Sequence, residues 1–465
     1  MNNKLPNIVL IVCDTLGAKH MSLHGYHRKT TPSIERMVEE EGFAVYTKCF
    51  SPATWTTPSH ASLFTGLYPT EHNTHGGDFE FFHLSDNFYS LPEVLKGAGY
   101  KTAGISSNFL VSKKFGFARG FDEFIELDKS YLLADEIGIP PAERNIDKIK
   151  FLFRHAISDK KHWRHVINKL INILYRRTLG QSVARYSAPY TKKTGKLFLD
   201  CARKFKNSNE PFFIFMNLME THGRYIPPKE FRNRFTSVHA KWIRNQPDGG
   251  LFYKTPFASD VLEIFNGLYD EEVLFLDSIL YKMYLGLKQL NMLDNTLFII
   301  TSDHGEALGE HNHFGHMFSI YNEVTHVPLM IHYPYGSVHK GEISNLVQTH
   351  DLYSTIIEAI NVPLPLPVSS VSLVSSTKRD FALSVLVKRE MDVKQLGVHD
   401  YYHHQIAYVD SKLRKLIVKI GSGVECFDLN KSFYENYQIT DPQIIKELLS
   451  SASNLNSLRR FGRLG

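Results

Sequence analysis

The chain has 465 residues, of which 43% are hydrophobic and 22% are charged, and its formal net charge at pH 7 is +5. This composition is that of a globular protein, and it excludes a disordered, fibrous or multi-helix membrane protein. The four cysteines are scattered without a Cys-x-x-Cys pair, which argues against a disulfide framework or a cysteine zinc site and favours a reducing compartment.

The first predicted element is a strand at residues 7–13, NIVLIVC, because this apolar run has the length of a strand and is followed directly by Asp14. The run lacks the cleavage region of a signal peptide. No window of the sequence approaches the roughly 18 apolar residues that a membrane-spanning helix needs. We therefore expect a cytoplasmic protein.

The next informative stretch is WTTPSHASLFTG at residues 55–66, in which hydroxyl side chains and a proline precede an apolar run. This pattern is typical of a helix N-terminus. By itself, it fits a well-capped helix, with Thr57 and Ser59 as capping residues, as well as it fits a nucleophile at a helix start. A helix N-terminus stabilises a bound phosphate or sulfate, so a hydroxyl nucleophile would be well placed there.

Further apolar runs predict strands that are covered on both faces, at residues 102–106, 212–218, 297–301 and 327–332. Helical periodicity is found at residues 262–290 and 351–360. The alternation of strands with longer helical segments favours an α/β fold with a mostly parallel central sheet flanked by helices. Short alternating segments within residues 380–427 predict a small C-terminal antiparallel sheet.

The expected domain organisation has one large unit and one small one. We expect the α/β domain to span residues 1–365 and to carry a basic helical insertion at about residues 140–186. A linker at residues 362–370, VPLPLPVSS, leads to a small C-terminal subdomain at 378–452 and a mobile tail at 453–465. The sequence contains no internal repeat.

The expected insertion contains the most basic part of the chain, since residues 148–177 hold nine Lys or Arg and a single Asp. This asymmetry indicates a specific basic surface rather than a general affinity for polyanions, so we expect no nucleic-acid partner. One interpretation is an amphipathic helix that packs on the main domain with a solvated basic face. The other is a docking surface for an anionic membrane or an acidic carrier.

Polar side chains follow several of the predicted strands, namely Asp14, Asn108, His222 and the pair Asp303-His304. Ligands bind outside the carboxyl ends of strands in open parallel sheets, so we expect these side chains to converge on one crevice. Asp14, Asp303 and His304 are suitable ligands for one divalent metal ion. A histidine among carboxylates favours zinc or manganese, with calcium or magnesium as alternatives.

Six segments of the chain occur in a recognisable order: NIVLIVCDTLG, SPATWTTPSHASLFTGLYP, ISSNFLVSKKFGFARGFDEF, YDEEVLFLD, LFIITSDHGEALGEHNHFGH and VPLMIHYP. They resemble the sulfatase-like branch of the alkaline phosphatase superfamily over most of residues 5–365. The C-terminal RKLIVKIGSGVECFDLNKSFYENYQ is similar to the closing sheet of that branch. The resemblance implies the α/β fold proposed above and an enzyme that acts on phosphoric or sulfuric esters.

The branch places its nucleophile at the first position of a C/S/T-x-P-S-R pattern, which implies Thr56 as the nucleophile of this chain. Sulfatases of the branch convert a cysteine or serine there to formylglycine, an aldehyde that threonine cannot give. They also tend to carry paired aspartates after the first strand and an arginine after the Pro-Ser. This chain has Cys13-Asp14 and His60 at those places, which makes His60 a substrate-binding candidate.

The resemblance implies a one-metal site formed by Asp14, Thr56, Asp303 and His304. That set looks like the site of the threonine-dependent relatives, the phosphoethanolamine transferases and lipoteichoic acid synthases. Those relatives act on phosphate diesters and lipid-linked head groups. A metal ion that contacts the threonine hydroxyl would lower the pKa of that hydroxyl and supply an alkoxide at neutral pH.

Two further histidines receive catalytic roles from the resemblance. His222 matches a substrate-contacting histidine of the family, and His316 falls where the threonine-dependent relatives place an oxyanion-binding histidine. Either imidazole could stabilise developing negative charge or protonate the leaving oxygen. Asn108 is a candidate for binding a non-bridging oxygen of the substrate. His311 and His313 fit a second metal or the surface, and with 23 histidines in the chain we favour the surface.

The leading hypothesis is a metal-dependent hydrolase or transferase that acts on a phosphate ester or diester through a covalent threonine intermediate. Its expected substrate is a small-molecule, glycan or lipid-linked anionic ester. One alternative is a sulfuric ester hydrolase that works without formylglycine. The other is a non-catalytic binding protein on the same fold. The sequence does not distinguish oligomeric states.

Overall fold

The structure is a computed structural model, which describes residues 5–75, 82–127, 189–208, 210–239, 242–243, 246, 257–336, 339–375, 377–387, 403–455 and 458. The basic stretch at 148–177 and the expected insertion around it lie outside the described residues, as does most of the expected tail. Within the described ranges, no helix combines the length and the apolar character needed to cross a membrane.

The strands are given in chain order: β1 (Asn7–Cys13), β2 (Ala44–Phe50), β3 (Lys101–Ser106), β4 (Glu123–Glu126), β5 (Phe212–Leu218), β6 (Thr296–Thr301), β7 (Ala307–Leu308), β8 (Phe314–Gly315), β9 (Leu329–His332), β10 (Gly341–Gln348), β11 (Phe381–Leu386), β12 (Gln405–Asp410), β13 (Arg414–Lys419) and β14 (Gly423–Asp428). The helices are α1 (Pro32–Glu41), α2 (Thr56–Thr65), α3 (Pro69–His72), α4 (Leu91–Gly97), α5 (Pro189–Ser208), α6 (Ser259–Gln289), α7 (Asn322–Thr325), α8 (Asp351–Ala359) and α9 (Pro442–Ser453).

The large sheet has the strand order β10-β2-β9-β6-β1-β5-β3-β4, and a four-stranded sheet has the order β11-β12-β13-β14. β1 is parallel to both of its neighbours, β5 and β6, and β3 is parallel to β5. β9 runs antiparallel to β6 and β2. The small sheet is antiparallel throughout. The predicted fold class is therefore confirmed.

The central sheet is covered on both faces, as alternate side chains of β1 illustrate. Val9 and Ile11 belong to one buried cluster, which also contains residues of α1, α5 and α6. Ile8 and Leu10 belong to another, which contains residues of α2, α4 and α8. Successive side chains of a strand point to opposite faces, so a continuous apolar run requires cover on both sides.

The small sheet is joined to the α/β domain through buried polar contacts. Arg379, which precedes β11, forms a two-pronged ion pair with Asp351 at the start of α8, with Nε donating to Oδ2 at 2.9 Å. Burial opposes the charged form, but the Arg379 guanidinium holds the pKa of Asp351 below its usual range. The third guanidinium nitrogen of Arg379, Nη1, donates to the Tyr68 hydroxyl at 2.8 Å. Both charges of the pair are therefore compensated inside the protein.

Candidate active site and metal centre

Polar side chains from four neighbouring strands meet at one edge of the large sheet. Asp14 directly follows β1, and Asp303 lies two residues beyond β6, its parallel neighbour. Asn217 lies within β5 on the other side of β1, and Asn108 lies two residues beyond β3. Because these four strands run in the same direction, their carboxyl ends form one crevice.

Asp14, Asp303 and His304 form a compact group, which we call the metal cluster. One ligand atom of each lies within 4.8 Å of the others. His304 Nε2 is 3.4 Å from Asp303 Oδ2 and 3.8 Å from Asp14 Oδ1. These three buried atoms have no hydrogen-bond partner in the described part of the chain. Buried polar atoms are nearly always paired, and two carboxylates with one imidazole suit a divalent cation, so these residues fit a metal ion.

The ionisation of the metal cluster follows from its burial. Burial, and then the charge of Asp14, raise the pKa of Asp303 well above its usual range. Burial acts in the same direction on Asp14, but the charges of nearby histidines and a hydrogen bond from Asn108 leave the pKa of Asp14 lowered. Burial, and then the charge of His316, lower the pKa of His304 well below its usual value. A neutral imidazole is the form that binds a metal.

The turn that carries His304 is held firmly by its neighbours. Ser302 Oγ lies 2.6 Å from the carbonyl oxygens of both Cys13 and His304, and so ties β6 to β1. Gly305 follows, and a Cβ atom there would collide with the carbonyl oxygen of Glu323. Only glycine therefore lets the turn pack against the chain at Glu323, and the ligands stand on a rigid support.

Thr56 is the first residue of α2, and Trp55 is the N-cap. The expected capping by Thr57 and Ser59 is wrong, since the N-cap position is Trp55 and makes no side-chain cap hydrogen bond in the described structure. Thr57 Oγ1 is buried without a hydrogen-bond partner among the described residues, whereas Ser59 Oγ lies 3.2 Å from Ser51 Oγ. Pro58 has no N–H group, and the Ser59 N–H donates to the Trp55 carbonyl oxygen. The N–H groups of Thr56 and Thr57 are therefore the ones that can bind an anion at this helix start.

The Thr56 hydroxyl lies against the metal cluster. Its Oγ1 is 3.5 Å from Asp14 Oδ2. Asn108 Nδ2 donates to Asp14 Oδ2 at 2.7 Å and lies 3.3 Å from Thr56 Oγ1. The amide therefore bridges the carboxylate and the hydroxyl, and the structure brings all three of these predicted site residues together.

His60 lies one turn into α2, behind Thr56, and is fully buried. Its Nδ1 is 2.9 Å from the carbonyl oxygen of Thr56, so Nδ1 carries a proton and donates it. Its Nε2 is 3.4 Å from Asn217 Nδ2, which lies at the same distance from Asp14 Oδ2. Burial lowers the pKa of His60, so the ring is neutral and Nε2 accepts. Both ring nitrogens of His60 thus have protein partners.

His222 and His316 lie side by side above the metal cluster, with ring centroids 5.4 Å apart. The His316 ring is 4.4 Å from the ring of His304. His222 Nδ1 is 3.0 Å from the carbonyl oxygen of Gly223, and His316 Nδ1 is 2.9 Å from Glu306 Oε1. Three imidazoles therefore adjoin one another at the crevice.

Residues 6–362 match the family model described as Sulfatase, which spans most of the chain. The chain belongs to the sulfatase family. As a family member it is an ester-hydrolysing enzyme, and the alternative of a non-catalytic binding protein is set aside. Sulfatase-family members generally bind a divalent metal, in agreement with the candidate site formed by the metal cluster. The match is to the family as a whole, and the threonine-dependent relatives receive no separate support.

This sulfatase-family chain is similar to several curated enzymes. It is 24% identical over 420 residues to arylsulfatase K of Homo sapiens, which covers 84% of this chain and 69% of the relative. It is 24% identical over 408 residues to N-acetylglucosamine-6-O-sulfatase of Bacteroides thetaiotaomicron, which covers 80% of this chain and 70% of the relative. The chain therefore spans about two thirds of the length of these relatives.

Solved structures share the fold over nearly the whole chain. One is a protein in complex with its substrate D-glucosamine-2-N,6-O-disulfate, with a TM-score of 0.68, 18% identity, and 99% of both chains covered. Another is the phosphonate monoester hydrolase of Agrobacterium radiobacter, with a TM-score of 0.68 and 17% identity. It covers 98% of this chain and 96% of its own. Both likenesses support the fold class.

Sequence reasoning missed two residues that this family member brings to the site. Asn217 touches Asp14 and His60 from within β5, and the available signal is a single polar residue in the apolar run FFIFMNL. Glu306 contacts His316, and its signal is a carboxylate two residues after His304 in SDHGEALGEH.

The surface positions expected for His311 and His313 are wrong in part, because both side chains are half-buried. His311 stacks on Tyr321, with ring centroids 3.9 Å apart. It also joins Glu323 and Glu435 in a further group with ligand-like spacing, which we call the second cluster.

Proposed function

We propose that the chain is a metal-dependent hydrolase that cleaves an oxoanion ester of a small anionic glycan through a covalent intermediate on Thr56. The proposal depends on one observation: ligand atoms of Asp14, Asp303 and His304, without partners among the described residues, converge beside a hydroxyl at a helix N-terminus. Zinc or manganese is the favoured cation, and calcium or magnesium are the alternatives, because a histidine stands among the carboxylates.

The residues of the chain prepare Thr56 for attack. A divalent cation at the metal cluster would lower the pKa of an adjacent hydroxyl and offset the charge of the oxoanion. Asp14 Oδ2, 3.5 Å from Thr56 Oγ1, is within reach of the hydroxyl proton. Asn108 Nδ2, at 3.3 Å, donates to Oγ1 and stabilises it as negative charge develops. The N–H groups at the start of α2 favour an anion at the same place.

The reaction has two steps. In the first, Thr56 Oγ1 passes its proton to Asp14 Oδ2 and bonds to the central atom of the ester, and the bond from that atom to the ester oxygen breaks. The departing alcohol takes a proton from His222 or His316. In the second, a water oxygen attacks the same atom, the bond to Oγ1 breaks, Oγ1 takes its proton back from Asp14, and the histidine recovers its proton from the water. An acceptor alcohol in place of water would give group transfer instead.

His60 and Asn108, the remaining predicted site residues, receive supporting roles. His60 uses Nδ1 on the carbonyl oxygen of Thr56 and Nε2 on Asn217, so we assign it to support of the helix start rather than to substrate contact. Asn108 combines support and substrate contact, since it touches Asp14 and Thr56 and keeps 8% of its surface exposed.

A sulfated sugar is the substrate that the relatives support. Two curated relatives are named as amino-sugar 6-O-sulfatases, and a solved structural neighbour is bound to a disulfated glucosamine. A phosphate or phosphonate ester is the second candidate. An adduct on Thr56 has no second hydroxyl on the same carbon, so it cannot expel the bound group by elimination. It must be opened by attack at sulfur or phosphorus. A cation and flanking histidines stabilise the charge on the oxygens around phosphorus during such an attack. A phosphonate monoester hydrolase also shares the fold.

The test compares kcat/KM for nitrophenyl sulfate, nitrophenyl phosphate and nitrophenyl phenylphosphonate, with glucosamine-6-sulfate as the sugar substrate and each candidate metal added in turn. The nitrophenyl esters share one leaving group, so a ratio of about tenfold between their kcat/KM values corresponds to about 1.4 kcal/mol of transition-state preference. Rapid quenching and mass spectrometry should find the sulfuryl or phosphoryl group on Thr56. Activity that is unchanged when a chelator is added, or a covalent adduct on a residue other than Thr56, would contradict the proposal.

A further inference from the structure

Glu306 stands beside the reacting groups without a role in the steps described above. It is the second residue after His304 and is 5% exposed. Its Oε1 lies 2.9 Å from His316 Nδ1, and its Oε2 accepts a longer hydrogen bond, at 3.5 Å, from the Tyr225 hydroxyl. Both oxygens of the carboxylate are therefore directed at aromatic side chains, namely the His316 ring and the buried Tyr225.

The contact with Glu306 determines which nitrogen of His316 carries the proton. A carboxylate only accepts hydrogen bonds, so His316 Nδ1 must be the donor. In the neutral ring, Nε2 is then the nitrogen with the lone pair. The ring lies 4.4 Å from His304 and 5.4 Å from His222, so it is held among the groups that face the ester. Fixing Nδ1–H thus presents Nε2 for proton exchange.

We propose that Glu306 is a positioning residue for His316: its carboxylate holds the ring in the Nδ1–H tautomer and in a fixed orientation, so that Nε2 gives its proton to the leaving alcohol and recovers one from the attacking water. The inference rests on the proposed function in one respect, the contact of His316 with the ester. Partners of this kind fix the tautomer of a functional histidine, and their loss typically costs about 10–100-fold.

The backbone makes Glu306 a firm support. Gly305 N–H donates to the carbonyl oxygen of Val324 at 2.7 Å, and the site has no room for a side chain at Gly305. Ser302 Oγ lies 2.6 Å from the carbonyl oxygen of His304. One turn therefore carries the metal ligand His304 and the carboxylate Glu306, so the orientation of His316 is linked to the position of the metal cluster.

A purely structural role for Glu306 would act through Tyr225 instead. Tyr225 is buried, and its backbone N–H donates to Gln246 Oε1 at 3.2 Å. Tyr225→Phe removes the hydroxyl contact to Glu306 and leaves the contact to His316 intact. It is therefore the matched control for Glu306→Ala.

The first experiment measures the tautomer directly in the metal-loaded enzyme. Two-bond proton–nitrogen correlation spectra of histidine-labelled protein are recorded at about pH 8.5, two units above the ordinary histidine pKa. The His316 signal is assigned by its loss in His316→Gln. We expect the Nδ1–H pattern in the wild type and in Tyr225→Phe, and a shift toward Nε2–H in Glu306→Ala. An unchanged pattern in Glu306→Ala would overturn the proposal.

The second experiment is a double-mutant cycle on whichever nitrophenyl ester the enzyme hydrolyses. We expect Glu306→Ala to lower kcat about 10–100-fold with KM changed less than about threefold. In the His316→Gln background, the same change should cost less than about twofold. Equal losses in both backgrounds would overturn the proposal. If no ester is hydrolysed, the proposed function fails, whereas the tautomer measurement still decides the role of Glu306.

Discussion

Two groups of histidines and carboxylates in the described residues have the spacing of metal ligands, and they differ in how their charges are compensated. The metal cluster of Asp14, Asp303 and His304 has a ligand atom without a hydrogen-bond partner on each residue, as far as the structure describes the chain. The second cluster of His311, Glu323 and Glu435 lies beside a buried lysine, Lys415, whose Nζ is 2.7 Å from Glu435 Oε1. Ligand types alone therefore do not identify a metal site.

The second cluster is compensated by the protein itself. Glu323 Oε1 lies 3.2 Å from both His311 Nδ1 and Ser319 Oγ. Glu435 Oε2 accepts from the backbone N–H of Asn322 at 2.8 Å. Lys415 supplies the positive charge that a metal ion would otherwise bring. These contacts connect β13 and the segment after β14 to α7, so we interpret the second cluster as a structural link between the two sheets.

Among the substitutions considered, Asp303→Ala should have the largest effect on metal content and activity. The change removes one of three ligands from the metal cluster, so we expect loss of the metal and a fall in kcat/KM of more than about 10³-fold. Elemental analysis of the purified variant and a fixed-substrate assay measure both effects. Glu435→Ala is the control, and it should keep the wild-type metal content. Retained metal in Asp303→Ala with loss of metal in Glu435→Ala would reverse the assignment of the two clusters.

Thr56→Ala should separate catalysis from metal binding. All three ligands of the metal cluster remain, so we expect near wild-type metal content with kcat lowered by more than about 10³-fold. Thr57→Ala is a matched control, because it removes a buried hydroxyl that has no hydrogen-bond partner among the described residues. Its kcat should stay within about threefold of the wild type. Near wild-type turnover by Thr56→Ala would exclude the covalent mechanism.

The sequence predicts the crevice well because its main residues follow apolar runs directly. Asp14 and the pair Asp303-His304 come within three residues of strands that the apolar runs alone reveal. Asn108 follows β3 in the same way. The rule that strand ends meet in a parallel sheet then places these side chains together without further information.

The residues that sequence reasoning missed depend on contacts between distant segments. Asn217 is the single polar residue of an apolar strand, a signal that does not by itself distinguish a site residue from a structural one. The partnership of Glu306 with His316 depends on how the intervening loop returns to the crevice. Likewise, the apolar run at 327–332 indicates a buried strand, but only pairing shows that β9 is antiparallel to both neighbours. Lys415 in β13 forms its ion pair with Glu435, which lies after β14. No sequence pattern reveals this pairing.

Glu435→Gln should affect stability and leave the metal in place. The variant leaves the Lys415 ammonium buried without its carboxylate partner, and breaking a buried pair costs about 3–5 kcal/mol. We expect this loss in the free energy of unfolding by urea, with metal content unchanged and kcat within about twofold in the folded enzyme. Adding Lys415→Met should recover part of the loss, since both charges are then gone. Unchanged stability with a lost metal equivalent would make the second cluster a metal site.

The smallest expected effect is the pH dependence of the His311–Glu323 pair. Burial opposes ionisation of both groups, but their mutual hydrogen bond and attraction raise the pKa of His311 and lower the pKa of Glu323. The His311 contribution to stability is fully present below its unfolded pKa of about 6.5, and it is lost as pH rises through the higher folded pKa. The Glu323 contribution is present above its unfolded pKa of about 4.3, and it is lost as pH falls through the lower folded pKa.

Both contributions are therefore present together between about pH 4.5 and 6.5. His311→Gln should lower the free energy of unfolding in this window by about 1 kcal/mol or less, because the His311 side chain is 23% exposed and its pair is partly screened. The difference from the wild type should shrink on either side of the window. Urea unfolding at about pH 5.5 and pH 8.5 measures it. The double variant His311→Gln with Glu323→Gln is the control and should show little pH dependence from this pair. An equal difference at both pH values would mean that His311 acts through its stacking on Tyr321 and not through charge.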